Sequence, residues 1–276
     1  MNSIAPLSET DISGIDWEDA FANAAHIPGG EGYPDHWQAA ASAFRSTAKG
    51  QTDIVYGEAP RARLDLFLPD GPSRGLAVFI HGGFWLAFDK SFWSHLAAGP
   101  LARGWAVALP SYTLAPETRI GQITKQIGQA VSHAAGLVDG PILLSGHSAG
   151  GHLATRMVCD DSPLSVGVAD RIARVVSISG LHDLRPLQLH SMNAKLGLDP
   201  TEAAAESPAL HRPRSGAAAT AWVGAAERPE FLRQSALIAE AWDIPLVSDA
   251  GCHHFDVIDG LFNPDHPLTR CVTESL

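Results

Sequence analysis

Leu144-Ser145-Gly146-His147-Ser148-Ala149-Gly150-Gly151-His152 follows directly on the apolar run Pro141-Ile142-Leu143-Leu144. A short, continuous apolar run reads as a buried strand. The G-x-S-x-G behind it reads as a sharp turn from strand into helix. Such a turn lifts its central serine clear of the sheet and holds it in strained backbone geometry. Crowding excludes side chains two positions to either side, where Gly146 and Gly150 stand. The helix that follows presents free N–H groups to any anion formed at the serine. Ser148 is therefore the candidate nucleophile, and the amide of Ala149 a candidate oxyanion donor. A glycine-rich turn without chemistry would carry the same five residues, so the rest of the chain has to supply a base, an acid and further donors.

Strands and helices alternate to either side. Strand patterns cover Thr52–Tyr56, Arg63–Leu68, Leu76–Ile80, Trp105–Leu109, Ile142–Leu144, Ile172–Ile178, Ala219–Val223 and Ile244–Val247. In the second of these, Leu64, Leu66 and Leu68 share one face, as in a half-buried strand; the third is apolar throughout, as in a strand covered on both faces. Helical patterns cover about Trp17–Ala25, Pro34–Thr47, Lys90–Arg103, Ile120–Val138, the stretch from the serine turn to Val158, and Pro229–Trp242. In Ile120–Val138, Ile120, Ile123, Ile127, Ala130, Val131, Ala134 and Val138 recur at steps of three and four, which builds one apolar face. Leu181–Arg214 reads as irregular, with a short helix around Gln188–Leu196. The order implies an α/β fold, a mostly parallel central sheet with helices on both faces and antiparallel pairing at its start. One domain over residues 1–276 is expected, with residues 1–50 a helical segment that could cover the pocket. No repeat, low-complexity tract or linker interrupts it.

Composition narrows the function classes. With 276 residues, 45% hydrophobic, the chain is long enough for one large-sheet domain. A net charge of −11 argues against nucleic acid or an anionic membrane as partner. No run approaches the roughly 18 apolar residues of a membrane span. Met1–Asp19 is acidic and lacks a basic region followed by an apolar stretch, so no secretory signal is expected. Three cysteines, Cys159, Cys252 and Cys271, form no metal-type pair and suit a reducing cytoplasm. The expected partner is a small-molecule substrate; the oligomeric state stays open, a homodimer included.

The parts a serine nucleophile needs stand in suitable places. After the third strand comes His81-Gly82-Gly83-Phe84-Trp85, whose paired glycines let backbone N–H groups approach a substrate carbonyl. Gly82 and Gly83, with Ala149, form the expected oxyanion hole. Phe84 and Trp85 beside it would face an aromatic group or else pack in the core. After the last strand, Gly251-Cys252-His253-His254-Phe255-Asp256 offers two histidines as base. After the strand before it, Glu227 ends a loop just ahead of a helix, while Glu230 sits in that helix's first turn, where a carboxylate favours the dipole. Asp183, after the strand that follows the serine turn, is the competing acid, and Asp249 stands at the end of the last strand. His147, His152, His253 and His254 could converge as a metal set, but no cysteine or carboxylate completes a known spacing. No metal and no cofactor is expected.

These stretches resemble the kynurenine formamidase (arylformamidase) branch of the hormone-sensitive-lipase-like α/β-hydrolases. The resemblance is carried by His81–Trp85 (H-G-G-x-W), Ser111-Tyr112-Thr113-Leu114-Ala115-Pro116-Glu117, Gly146–Gly151 and Ser179-Gly180-Leu181-His182-Asp183-Leu184-Arg185-Pro186. It continues in Pro229-Glu230-Phe231 with Arg233-Gln234-Ser235, and in His254-Phe255-Asp256. It spans roughly residues 75–262. The first and third stretches are common among esterases; those at Ser179 and Pro229 are narrower. The resemblance implies an α/β-hydrolase fold and hydrolysis of N-formyl-L-kynurenine or another aryl formamide to formate and an aromatic amine. It selects His254 over His253 as base, and it places Glu227 where the family commonly carries Asp. The rival enzyme reading is a broad carboxylesterase with the same triad. The rival outside enzymes is a silent hydrolase-fold binder, which would usually have lost a triad member.

Overall fold

The computed structural model describes residues 14–214 and 216–274; most of the stretch read for a secretory signal lies outside them. Eight strands form one sheet: β1 (Gly50–Val55), β2 (Arg63–Phe67), β3 (Leu76–Ile80), β4 (Ala106–Pro110), β5 (Ile142–His147), β6 (Ile172–Ile178), β7 (Ala218–Gly224) and β8 (Leu246–Asp249). Their order is β1-β2-β4-β3-β5-β6-β7-β8. β1 and β2 pair antiparallel, as does β2 with β4, and every later pair is parallel. The longer helices are α1 (Tyr33–Arg45), α2 (Ile120–Leu137), α3 (Ala149–Arg156), α4 (Pro229–Trp242) and α5 (Pro267–Thr273).

β3 and β4 are apolar throughout because both of their faces are covered. Leu76, Val78 and Ile80 of β3 join one core with Ile120, Ile123, Ile127, Val131 and Leu153 from α2 and α3. Ala77 and Phe79, one step out of phase, join a second core with Trp37 of α1, Trp93, and Leu268 and Val272 of α5. A period of two thus feeds two layers at once. Fully burying one such isoleucine contributes roughly 1.5–3 kcal/mol.

Several expected elements change length or kind. The alternation in Arg63–Leu68 predicts a half-buried strand, yet Asp65 on its other face is buried too, because Lys90 Nζ reaches Asp65 at 2.7 Å and Asp53 at 2.8 Å. Lys90–Arg103 is broken into two 3₁₀ turns, Lys90–Phe92 and Ser94–Ala97, and one short helix, Ala98–Ala102. The last strand begins two residues late, since Ile244 N still donates to Ala239 O at 3.0 Å to close α4. The helical segment near Trp17 stops at Ala20 and is followed by a 3₁₀ turn, Ala24–His26. Among the described residues no helix is long and apolar enough to cross a membrane.

Candidate active site

Ser148 sits between β5 and α3 at φ 55° and ψ −119°, a conformation that L-residues rarely adopt. The glycines two residues away make it possible. A Cβ on Gly146 would lie 2.1 Å from Gly150 O, and one on Gly150 would lie 1.9 Å from Ile80 O. The strand, the helix and the neighbouring β3 end therefore close on backbone alone. The turn is tied to β6 by Ser148 N, which donates to Ile178 O at 2.9 Å.

Beyond β7 and β8 the loops bring an acid and a base together. His254 Nδ1 donates to Glu227 Oε2 at 2.6 Å, and both side chains are buried. The other carboxylate oxygen is occupied as well: Oε1 accepts from Gly224 N at 2.8 Å and from Ser179 Oγ. With Nδ1 as donor, a neutral His254 ring keeps Nε2 free as a proton acceptor. The ring is held between Phe231, at a centroid distance of 4.2 Å, and His147, at 4.6 Å. His147 Nε2 donates to His254 O at 2.8 Å. Burial, then the neighbouring His254, push the His147 pKa well below the ordinary range, so this ring stays neutral.

Ser148 and His254 line one cavity of about 390 Å³ together with Gly83, Phe84 and His147. Among the described residues no hydrogen bond joins Ser148 Oγ directly to the His254 ring; such contacts commonly tighten only around substrate. Among the described residues the amides of Gly83, which lines the cavity with Ser148, and of Ala149, which follows it, donate to no acceptor, so both are candidate donors to an oxyanion. Gly83 holds φ 105°, and a Cβ there would lie 2.5 Å from Ala87 O. The loop is braced from behind, where Tyr112 Oη donates to His81 O at 2.9 Å and the His81 ring stacks on Tyr112 at 4.3 Å. The cavity walls are largely aromatic: Trp37, Phe84, Phe88, Trp93 and Phe255.

The other expected residues fall as follows. Of Phe84 and Trp85, expected either to face an aromatic group or to pack in the core, Trp85 takes the core, fully buried with its ring edge-on to His152 at 5.1 Å, and only Phe84 faces the cavity. Asp183 is taken by Arg185, at 2.8 and 2.9 Å, and Glu230 by Arg233, at 2.7 Å twice. Asp249 accepts from Trp222 Nε1 at 3.1 Å. Gln234 ties the two motif stretches together: its Oε1 accepts from the amides of His182 and Asp183, and its Nε2 donates to Glu230 and to Asp183 O. The histidines weighed as a metal set diverge, with His152 Nε2 on Glu206 O and His253 Nε2 on the Tyr33 hydroxyl. Burial raises the Cys252 thiol to about 11, which keeps it protonated and unreactive.

Two contributors were not singled out from the sequence. Ser179, at φ 52°, grips the carboxylate that grips His254; its place at the head of the Ser179–Pro186 motif was the available signal. Ala22–Ala25 and Glu31 border the cavity from a segment with no motif at all.

Comparison with known proteins agrees with this architecture. A model of the "Alpha/beta hydrolase family" matches residues 77–271. The kynurenine formamidase of Danio rerio is 28% identical over 251 residues, 84% of each chain. That of Salmo salar is 26% identical over 252 residues, again 84% of each. A crystal structure from Silicibacter sp., described provisionally as a thioesterase, superposes with a TM-score of 0.92 at 50% identity, covering 95% of this chain and 100% of that one.

Proposed function

This chain belongs to the alpha/beta hydrolase family and is a hydrolase, and from that premise we propose that it cleaves aryl formamides, the class that includes N-formyl-L-kynurenine, through a formyl-serine intermediate. The observation that carries the reading is the 2.6 Å bond from His254 to Glu227 beside a serine held at positive φ in the same cavity. Ser148 Oγ attacks the formyl carbon while His254 Nε2 takes its proton. Glu227 fixes the imidazole tautomer and stabilises its cation. The Gly83 and Ala149 amides receive the oxyanion, with Gly82 shaping the loop. The C–N bond then breaks, His254 returns the proton to the leaving aromatic amine, and water, deprotonated by the same ring, releases formate. Aromatic walls suit an aryl leaving group. The kynurenine formamidase relatives support the formyl acyl group.

The 50% identity to a chain described as a thioesterase favours a second reading, short-chain ester or thioester hydrolysis by the same residues. A panel of formanilide, phenyl acetate and an acetyl thioester, with Ser148→Ala as control, tests both. A kcat/KM for formanilide above that for the esters, after correction for their spontaneous rates, supports the amidase. Ester turnover with inert formanilide would overturn it in favour of the second reading.

A further inference from the structure

The cavity that contains Ser148 carries a charge bias. Its bordering groups include one fixed charge, the exposed carboxylate of Glu31 at the rim. Among the described residues no lysine or arginine borders it, and residues 1–13, 215, 275 and 276 contain neither type. Of the two histidines at the site, His147 is buried and neutral, and His254 already has the Glu227 carboxylate as its partner. Arg228 is engaged by Asp19, and Arg61 directs its N–H groups to the carbonyls of Tyr112 and Phe88.

One neutral polar group does face this space without a partner. Asn23 borders the cavity, is only 6% exposed, and its Oδ1 has no hydrogen-bond partner among the described residues. It stands at the start of the Ala24–His26 turn yet does not cap it. A buried amide left unpaired in this way costs free energy until something bonds it. Its Oδ1 can accept from a hydroxyl, an amine or an amide N–H, but it cannot bond or neutralise a carboxylate.

Taken with the aryl formamide reading, on which it rests, we infer that the cavity selects leaving groups that are uncharged, zwitterionic or cationic, with a neutral polar handle for Asn23, and rejects those that carry a net negative charge into it, a zwitterion such as kynurenine bringing its own cation beside its carboxylate. An anion brought among these aromatic walls would lose hydration with no cation in return, and Glu31 would repel it at the entrance. A cationic group would meet Glu31 and the faces of Trp37 or Phe88 instead.

The test uses 4-(aminomethyl)formanilide and 4-(carboxymethyl)formanilide, similar in size and with the charge insulated from the reacting amide by a methylene group. The same pair of substituents is also made as phenyl acetates. The cationic formanilide is expected to exceed the anionic one in kcat/KM by roughly tenfold or more, the scale of leaving a charge without a partner. Glu31→Lys should shrink that ratio by about threefold to tenfold, as befits reversal of one exposed charge. Glu240→Lys, the same change at a remote exposed position, should leave it unchanged. Equal rates for the two formanilides, or a ratio that Glu31→Lys does not move, would overturn the selection while leaving the formamidase reading intact. Inert formanilides beside esters that keep the cationic preference would overturn the formamidase reading and leave the selection standing.

Discussion

Lowering the pH from 7.5 to 5 should destabilise this protein by several kcal/mol. Four buried histidines are held neutral by desolvation: His81 and His95 are pushed down to about 4, His152 and His182 to about 3. In the unfolded chain each regains a pKa near about 6.5, so the unfolded state binds more protons throughout the interval between. Their lowered pKa values therefore cost nothing above about pH 7. The cost grows as pH falls through about 6.5, until the folded values are reached. Each ring amounts to roughly 2 kcal/mol by pH 5, at about 1.4 kcal/mol per unit of unmatched titration. His147 acts in the same direction. Asp259 opposes them: burial raises it to about 6, so protonation on the way down returns about 1 kcal/mol. A net loss of about 7 kcal/mol, before His147 is added, is comparable with a typical domain's entire stability. Thermal melts at the two pH values should differ by roughly 15 °C. His152→Gln keeps a donor for Glu206 O and removes one titrating ring, so its melt should fall by a few degrees less. A melting temperature that moves by less than about 5 °C over this range would refute the reasoning, since the rings would then be protonated inside the fold at little cost.

The site makes further demands. Glu227→Gln should lower kcat on the order of 10⁴-fold and Glu227→Asp should retain part of the rate, whereas Asp183→Asn should melt earlier but keep most turnover, because Asp183 is paired with Arg185 rather than His254; steady-state kinetics with melts separates them, and the reverse ranking would move the acid to Asp183. Ser179→Ala removes one of the two hydrogen bonds to Glu227 Oε1 and leaves that from Gly224 N, so kcat should fall roughly tenfold on the scale of one lost hydrogen bond to a charged group. KM should change little while the melting temperature falls by several degrees, and an unchanged kcat would reduce Ser179 to a packing role.

How far the sequence could be read follows from which forces act locally. β3, Leu76–Ile80, and the helix from Ile120 were legible because their periodicity is set by burial alone. The turn at Ser148 was legible because backbone crowding tolerates only glycine at its flanks. Glu227 and His254 were placed by their position after successive strands, with the family resemblance choosing between adjacent histidines. Other features depend on long-range partners that no local pattern announces. Asp65 is buried because a lysine 25 positions away happens to reach it and Trp85 turns into the core because it holds φ 58°. α5 was missed altogether: its seven residues alternate poorly and form only where Leu268 and Val272 meet the second core. The cavity roof at Ala22–Ala25 is likewise created by docking, with Trp17 and Phe21 inserted into the first core.

The most direct measurement is to label the protein with a fluorophosphonate, digest it and locate the adduct by mass. Phosphonylation at Ser148, absent in a folded Ser148→Ala variant that has also lost turnover, is the expected result. An adduct on another residue, or a Ser148→Ala protein that still hydrolyses its substrate at the wild-type rate, would contradict the assignment of this serine as the nucleophile.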